Sequence, residues 1–223
     1  MKIIAHIRTD FPTKFGVPRQ ASLADALEGT IVFTPEFRNP DCLRGIEGWS
    51  HLWLLWRFHR TEREDWSPTV LPPKLGGKTR VGVFATRSPF RPNPIGLSSV
   101  RLLSVSWHSP EGPLLHVAGV DLIDGTPIYD LKPYVPYSDS HPDAKDAFSG
   151  LRQQTLLQVD FPPELLCQIP PQKQQGLLQA LALDTRPGYQ HDPARRYGFN
   201  FSGFDVRFTV DGQTLHVVEL VRL

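Results

Sequence analysis

The chain has 223 residues, of which 40% are hydrophobic and 21% are charged, proportions typical of a soluble globular protein. A formal net charge of +1 excludes the global basic field of many nucleic-acid-binding proteins, so any affinity for RNA must come from a local patch. No apolar run reaches membrane-spanning length, and residues 1–10 are too polar and too short to predict a signal peptide.

The cysteines and histidines indicate the redox state of the compartment and whether a metal site is expected. Cys42 and Cys167 stand alone, which favours a reducing environment over a disulfide scaffold. The eight histidines show no clustered ligand spacing, so we expect no metal site. We therefore expect a cytoplasmic protein that does not associate with a membrane.

The first 135 residues predict one short strand after another. Residues 52–58 are nearly all apolar and predict a strand buried on both faces, with a short helix as the alternative. Three further segments are rich in β-branched residues and bounded by turn signals, namely 3–7, 30–34 and 80–85.

A hairpin and a final short strand complete this half. Residues 97–107 and 114–120 flank a Pro/Gly-containing turn at 109–113, and residues 128–131 predict one more strand. There is no G-x-G-x-x-G after a first strand and no βαβ alternation, so a doubly wound α/β fold is not supported. The pattern favours a mainly β protein with an antiparallel barrel or sandwich.

The character of the chain changes after Tyr137. Residues 138–150 are polar and turn-rich, and residues 172–183 predict a helix that begins after two prolines. Residues 204–210 and 214–220 flank Asp211 and Gly212, a strong hairpin signal. We therefore predict a barrel domain at 1–137 and a small α+β domain at 138–223.

The most informative stretch is residues 84–98, F-A-T-R-S-P-F-R-P-N-P-I-G-L-S. Its three prolines fix φ and remove backbone donors, so they predict a stiff loop. Arg87 and Arg91 are permanently charged forks on that frame, suited to carboxylate or phosphate recognition. By composition alone, a Pro-rich surface connector with solvated arginines explains the stretch slightly better.

The order of these residues resembles the signature of the TrmO family, also called TsaA-like or YaeB-like, of S-adenosylmethionine-dependent tRNA methyltransferases. The resemblance extends over most of the chain outside about 140–180. Its other blocks are F-G-V-P-R-Q at 15–20, G-I-E-G-W-S-H-L-W at 45–53, P-P-K-L-G-G at 72–77, D-L-I-D-G-T-P at 121–127, D-L-K-P-Y at 130–134 and D-T-R-P-G-Y at 184–189.

The resemblance implies a β-barrel methyltransferase that forms a homodimer, with S-adenosyl-L-methionine bound near the dimer interface. Arg19 or Arg87 would hold the cofactor carboxylate, and Asp124 would accept from ribose hydroxyls or the ammonium. Arg60 stands where a glutamine is expected, so a side-chain contact there is not implied. The implied cofactor contacts are Pro18, Arg19, Gln20, His59, Arg60, Arg87, Leu97, Asp124, Gly125, Thr126 and Pro127.

Simpler explanations exist for several of these residues. Residues 124–127 alone are a common turn. His51 in an apolar strand is more often a hydrogen-bonded core histidine than a catalyst. The tryptophans at 49, 53 and 56 are better explained as core than as a base-stacking surface.

The substrate implied by the resemblance is tRNA, with threonylcarbamoyl-adenosine next to the anticodon and the methyl going to its exocyclic nitrogen. Tyr134 and Lys132 are the catalytic candidates for accepting the proton of that nitrogen, and packing and solvation are the alternatives. Arg91 would bind the carboxylate of the threonylcarbamoyl group. Arg186, Arg195 and Arg196, interleaved with Tyr189, Tyr197, Phe199 and Phe201, predict a patch for phosphates and unstacked bases, although a solvated loop explains them nearly as well.

The sequence is also compatible with two other functions. The chain could be a non-catalytic barrel that binds an adenosyl ligand or RNA, or a methyltransferase for a substrate other than RNA. Detection of methylated nucleoside in tRNA would separate the enzyme from the binding module.

Overall fold

The computed structural model describes residues 1–60, 66–72, 79–145, 147, 156–186 and 192–223. Most of the block at 72–77 and the end of the block at 184–189 lie outside the described residues. Within the described ranges, no helix combines the length and the apolar character needed to cross a membrane.

Six antiparallel strands form a closed barrel, which confirms the predicted fold. Each strand pairs with two neighbours, so the barrel has no free edge. In their order around the barrel the strands are β1 (Ala5–Thr9), β2 (Glu28–Phe33), β7 (Leu114–Ala118), β6 (Ile95–Ser106), β3 (His51–Arg57) and β8 (Thr126–Pro133).

The burial of β3 corrects one prediction. Its residues alternate, with Leu52, Leu54 and Trp56 buried inside the barrel and Trp53 and Leu55 only half-buried. A strand in a barrel wall has one inner and one outer face, so the prediction of burial on both faces is wrong. The strand itself is confirmed, and the helical alternative is excluded.

Antiparallel pairing brings three long connections to the same end of the barrel. These are residues 10–27 between β1 and β2, residues 58–94 between β3 and β6, and residues 119–125 between β7 and β8. The connection at 58–94 carries the two-residue strands β4 (Thr69–Val70) and β5 (Val81–Gly82). We call this end the long-loop rim. The opposite rim holds residues 34–50, residues 107–113 and the end of β8.

Beyond the barrel, the described residues form a four-stranded sheet, the C-terminal part, and three helices, the first of which directly follows β8. The strands run in the order β10 (Tyr197–Phe201), β11 (Phe204–Asp211), β12 (Thr214–Arg222) and β9 (Gln158–Asp160). The predicted hairpin is confirmed, since Asp211 pairs with Thr214 across a turn in which Gly212 has φ +56°. The helices are α1 (Pro136–Asp139), α2 (Pro163–Leu166) and α3 (Pro171–Ala182), the last of which is the predicted helix.

The C-terminal part packs against the first long connection. The Phe11 ring lies 5.2 Å from that of Phe201 and 6.1 Å from that of Phe199. Gly16 has φ +94°, and a Cβ there would come within 2.6 Å of the Phe199 ring. Only glycine therefore allows this approach, which presses residues 10–27 onto the C-terminal sheet.

Helix α3 holds the other end of the same connection. The Gln179 side chain accepts from the backbone N–H of Ala26 at 2.9 Å and donates to Asp25 at 2.6 Å. A Cβ at Gly176 would lie 2.9 Å from the Ala26 carbonyl oxygen, so the helix can approach this closely only without a side chain. Residues 10–27 are thus supported along their length by residues far away in the sequence.

Candidate functional site

The topology gathers every predicted cofactor residue at the long-loop rim. Each belongs to one of the three connections or to the first residues of a strand that leaves them. The first connection carries Pro18, Arg19 and Gln20, the second carries His59, Arg60 and Arg87 and continues into β6 at Leu97, and the third carries Asp124 and Gly125 and continues into β8 at Thr126 and Pro127.

Arg87 and Gln20 meet directly although they are 67 residues apart. An Nη1 of Arg87 donates to the Oε1 of Gln20, and the guanidinium is otherwise exposed. The partner of this arginine is neutral, and no carboxylate in the described part of the chain pairs with the guanidinium, which leaves its charge available for an anion.

The loop at 84–98 is a run of tight turns, as its prolines predict. Backbone hydrogen bonds join Arg91 N–H to the Pro89 carbonyl at 2.9 Å and Ile95 N–H to the Asn93 carbonyl at 2.7 Å. The half-buried Arg91 donates from Nη1 to the Thr86 carbonyl at 3.2 Å, which fixes its side chain beside Arg87. The two arginines are thus held by different partners.

Arg19 joins the rim to the C-terminal part. Its Nη2 donates to the backbone carbonyl of Arg186 at 3.2 Å, while the side chain remains exposed. This is one carbonyl contact for a guanidinium with five N–H donors, and no second partner lies among the residues that the structure describes.

Asp124 has a structural role in its turn. Its Oδ1 accepts from the backbone N–H of Thr9 at 3.0 Å, and Gly125 follows with φ +75°. The Thr126 hydroxyl closes the turn on the Ile123 carbonyl at 2.6 Å. These contacts hold the third connection against the end of β1.

His59 is half-buried at the start of the second connection. Burial lowers the pKa of its imidazole, and the charge of neighbouring Arg60 lowers it further. The ring is therefore neutral near pH 7, able to donate from one nitrogen and accept at the other. The Arg60 side chain is exposed.

Asp121 is a site residue to which the motif reading assigned no role. The Ser98 hydroxyl donates to its Oδ1 at 2.6 Å, and the indole N–H of Trp56 donates to the Ser98 oxygen at 2.9 Å. Burial raises the pKa of Asp121 to about 6, against the opposing effects of the Ser98 hydroxyl, backbone amides including that of Ala21, and the Arg87 charge. The sequence did contain an indication of this role, because Asp121 stands between two apolar residues at the end of a predicted strand.

The structure does not bring Lys132 and Tyr134 to this rim. Lys132 is six residues along β8 from Thr126, or about 20 Å at the rise of a strand. It pairs with Asp130 at 3.0 Å, and the Tyr134 ring packs 5.5 Å from that of Trp53. Within one chain the two catalytic candidates therefore face the opposite rim.

His51 and the tryptophans at 49, 53 and 56 differ in exposure. Trp49 is 40% exposed, so the expectation that it is a core residue is wrong, since it follows the short turn Ile46–Gly48 outside the barrel wall. Trp56 is 8% exposed and belongs to the core. Half-buried His51 shares a hydrogen bond of 3.0 Å with the Ser50 hydroxyl.

The predicted base-stacking patch in the C-terminal part needs a correction. Tyr197, Phe199 and Phe201 are 8%, 3% and 1% exposed, because alternate residues of β10 face the core. They cannot stack on bases, and Tyr189 lies outside the described residues.

The three arginines of that patch differ in burial and in pairing. Arg186 is buried and binds both oxygens of Asp184, at 2.7 and 2.9 Å, a pairing that raises the pKa of the guanidinium. Arg195 and Arg196 are exposed, with the Arg195 guanidinium 5.5 Å from the centre of the Tyr197 ring. Only the latter two present charge to solvent.

A cleft of about 240 Å³ lies elsewhere, between the barrel and α3. Among its described lining residues are Arg8, Glu28, His116 and Lys173, and none of the predicted cofactor residues. Lys173 is already paired with Asp10 across this junction. In the described part of the chain, no group of three or more His, Cys, Asp or Glu residues has the arrangement of a metal site.

The closed barrel with charged connections at one rim places the chain among the single-sheet β-barrel proteins and outside the doubly wound α/β class. The family model of the tRNA-methyltransferase O N-terminal domain matches residues 6–140, and that of the TrmO C-terminal domain matches residues 154–223. The chain belongs to the tRNA-methyltransferase O family.

Individual relatives match almost the whole chain. The tRNA (adenine(37)-N6)-methyltransferase of Escherichia coli K12 is 39% identical over 225 residues, which cover 97% of this chain and 95% of the relative. The putative S-adenosylmethionine-dependent methyltransferase RcsF of Pseudomonas aeruginosa is 39% identical, covering 92% and 90%. A crystal structure of TrmO from Pseudomonas aeruginosa superposes with a TM-score of 0.76 at 33% identity, covering 98% and 96%.

Proposed function

We propose that this chain is an S-adenosyl-L-methionine-dependent tRNA methyltransferase that modifies the adenosine at position 37, next to the anticodon. The names of its relatives support this reaction, and their alignments span nearly all of both chains. The observation that carries the proposal is the convergence of Gln20, Arg87 and Asp121 at one rim.

The side chains at this rim suit the cofactor. Its amino-acid end carries a carboxylate and an ammonium, and the rim offers the guanidinium groups of Arg19 and Arg87 together with the Asp121 carboxylate. Leu97 is 51% exposed and offers an apolar surface to the adenine. When bound, the cofactor supplies an electrophilic methyl group.

Positioning is the main contribution of the protein. The acceptor is the exocyclic nitrogen of threonylcarbamoyl-adenosine, a urea-like and weak nucleophile that must be held in line with the methyl group. The rim can hold it because its loops are fixed by turns, by Gln20 and by the C-terminal part. Lys132 and Tyr134 can serve as proton acceptors only from a second copy of the chain.

Arg91 is the proposed partner of the threonylcarbamoyl carboxylate. It stands four residues from Arg87 on the same stiff loop and has a separate hydrogen-bond partner. Two neighbouring anions, one on the cofactor and one on the substrate, would thus meet two separately held arginines.

For the tRNA backbone we assign Arg195 and Arg196, which are exposed. Arg186, which sequence reasoning grouped with them, has its charge occupied by Asp184 and holds the Arg19 side chain through its carbonyl. Its contribution to substrate binding is indirect.

We also infer that the protein works as a homodimer in the cytoplasm. Phe84, near the rim, is 74% exposed, as suits a side chain covered by a second copy. Cys42 and Cys167 are free and exposed, a state that a reducing compartment maintains.

The test is nucleoside mass spectrometry of tRNA incubated with the protein and the cofactor. We expect a mass gain of one methyl group on threonylcarbamoyl-adenosine and none on tRNA that lacks this modification. Cofactor and tRNA binding without methylation would instead support the non-catalytic barrel, and methylation of another polymer would support the non-RNA alternative.

A further inference from the structure

Asp121 is the acidic group at the centre of the long-loop rim. It contacts residues of two other chain segments, the Ser98 hydroxyl on β6 and the backbone amide of Ala21 on the first connection. A third segment contributes Arg87, whose charge acts on the carboxylate. The side chain is therefore fixed where all the predicted cofactor segments meet.

Among the residues that the structure describes, the negative charge of Asp121 has no ion-pair partner. Within the part of the chain that the structure describes, no Lys, Arg or His side chain lies within ion-pair distance of it. Its hydrogen-bond donors are a hydroxyl and backbone amides, all of them neutral. A desolvated carboxylate in this state is a strong binding site for a cation.

The cofactor brings a cation of the right kind. In an α-amino acid, the ammonium and the carboxylate are on the same carbon atom, so a site for both needs opposite charges that are close but not paired with each other. Arg87 and Asp121 have this relation, because the arginine bonds to Gln20 and the aspartate to Ser98. Asp124, the acidic residue suggested by the motif, has one oxygen engaged by the Thr9 amide.

We propose that Asp121 binds the α-ammonium of the cofactor while Arg87 binds the neighbouring α-carboxylate, an assignment that rests on the proposed function. Ser98 orients the Asp121 carboxylate, and Trp56 orients Ser98 from inside the barrel. The amino-acid end of the cofactor is thus recognised as a zwitterion.

The experiment is calorimetric titration of the full chain with three ligands. S-adenosylhomocysteine carries both charges, its des-amino analogue keeps only the carboxylate, and methylthioadenosine carries neither. For Asp121→Asn we expect about a tenfold or larger loss of affinity for S-adenosylhomocysteine, and none for the other two ligands. For Arg87→Gln we expect losses for both carboxylate-bearing ligands and none for methylthioadenosine.

Two further variants serve as controls for the effect of Asp121→Asn. Asp211→Asn, at an exposed hairpin turn, should bind all three ligands as the parent chain does. Asp121→Ser removes the charge but keeps a hydrogen-bonding group, and it replaces Asp121→Asn if that variant does not fold. Equal losses for S-adenosylhomocysteine and the des-amino analogue, or no loss for either, overturn the ammonium assignment. Failure of the parent chain to bind any of the ligands overturns the proposed function as well.

Discussion

The two rims of the barrel carry similar residue types but differ in how their charged and polar groups are paired. At the opposite rim polar groups satisfy one another, as Lys132 does with Asp130, and the Trp53 indole with Asp139 at 2.8 Å. At the long-loop rim, within the described ranges, Arg87 bonds to the neutral Gln20, and Asp121 bonds to neutral donors. Charges that the protein leaves unmatched, rather than the presence of charge, indicate where a ligand binds.

The largest effect should come from Arg87→Ala. Loss of one partner of a desolvated charge pair typically costs about 2–5 kcal/mol of affinity, so calorimetry should show at least a thirtyfold weaker cofactor affinity. The melting temperature should barely change, because the side chain is exposed. Arg44→Ala is the matched control, since that exposed arginine pairs with Asp41 away from the rim. If the Arg87 variant unfolds, the role of Arg87 is structural, and its charge is not kept available for a ligand at the long-loop rim.

Charge reversal at Arg195 and Arg196 should have the next largest effect. Phosphate contacts dominate nucleic-acid affinity, so the double glutamate variant should bind tRNA about tenfold more weakly, with a shallower dependence on salt. Its affinity for the cofactor should be unchanged. Unchanged tRNA affinity would move RNA recognition onto the barrel or across a dimer.

Asp121→Asn should change the pH dependence of stability. The pKa of Asp121 is raised from 3.8 to about 6, so its contribution to stability is fully present below about pH 4 and is lost as the pH rises through 6. Relative to the parent chain, the variant should therefore gain about 1–3 kcal/mol between pH 4 and pH 8. Urea unfolding at several pH values measures this gain, and a constant difference would mean that Asp121 ionises in the folded chain as it does in water.

Arg91→Ala tests the division between the two arginines. We expect cofactor affinity to stay within about twofold of the parent value, while kcat/KM for tRNA carrying the threonylcarbamoyl group falls about tenfold. Titration calorimetry and nucleoside mass spectrometry provide the two numbers. Equal losses of cofactor affinity in the Arg87 and Arg91 variants would show that both serve one anion.

The smallest effect should come from Tyr134→Phe. Because Tyr134 packs on Trp53 and His51 at the opposite rim, it does not reach the proposed site of its own chain, and methylation rates should change by less than about twofold. A large loss of kcat with unchanged cofactor affinity would indicate that the tyrosine of a second copy reaches the site. Mixing this variant with an Arg87→Ala variant would then restore activity in heterodimers.

The local pattern of the sequence predicted much of the fold. Apolar and β-branched segments bounded by turn signals located the barrel strands, the hairpin at Gly212 and helix α3, because these depend on nearby residues. The strand predicted at 80–85 is limited to the two residues of β5, outside the barrel, and is followed by a short helical turn. The resemblance also grouped residues from 18 to 127 as one site. Closing the barrel was needed to show that they share one rim, since that depends on pairings between distant strands.

Other features could not be predicted from local pattern. The hydrogen bonds from Trp56 to Ser98 and on to Asp121 join three segments, so no spacing reveals them. Phe199 and Phe201 resembled a nucleic-acid surface because composition does not show which face of a strand is buried. The motif grouped Lys132 with the predicted cofactor residues, although the length of β8 separates Lys132 from them.

The close approach of Gly16 to Phe199 has a consequence for cooperativity. The proposed cofactor binding at Arg19 and Gln20 would restrain a connection that is already packed against the C-terminal sheet, so part of the binding energy should reach β10 and α3. Amide hydrogens of residues 171–182 and 197–201 should then exchange more slowly when the cofactor is bound. Replacement of Gly16 by alanine would disturb the packing of the first connection on the sheet. Cofactor affinity would then depend on how well the C-terminal sheet is folded.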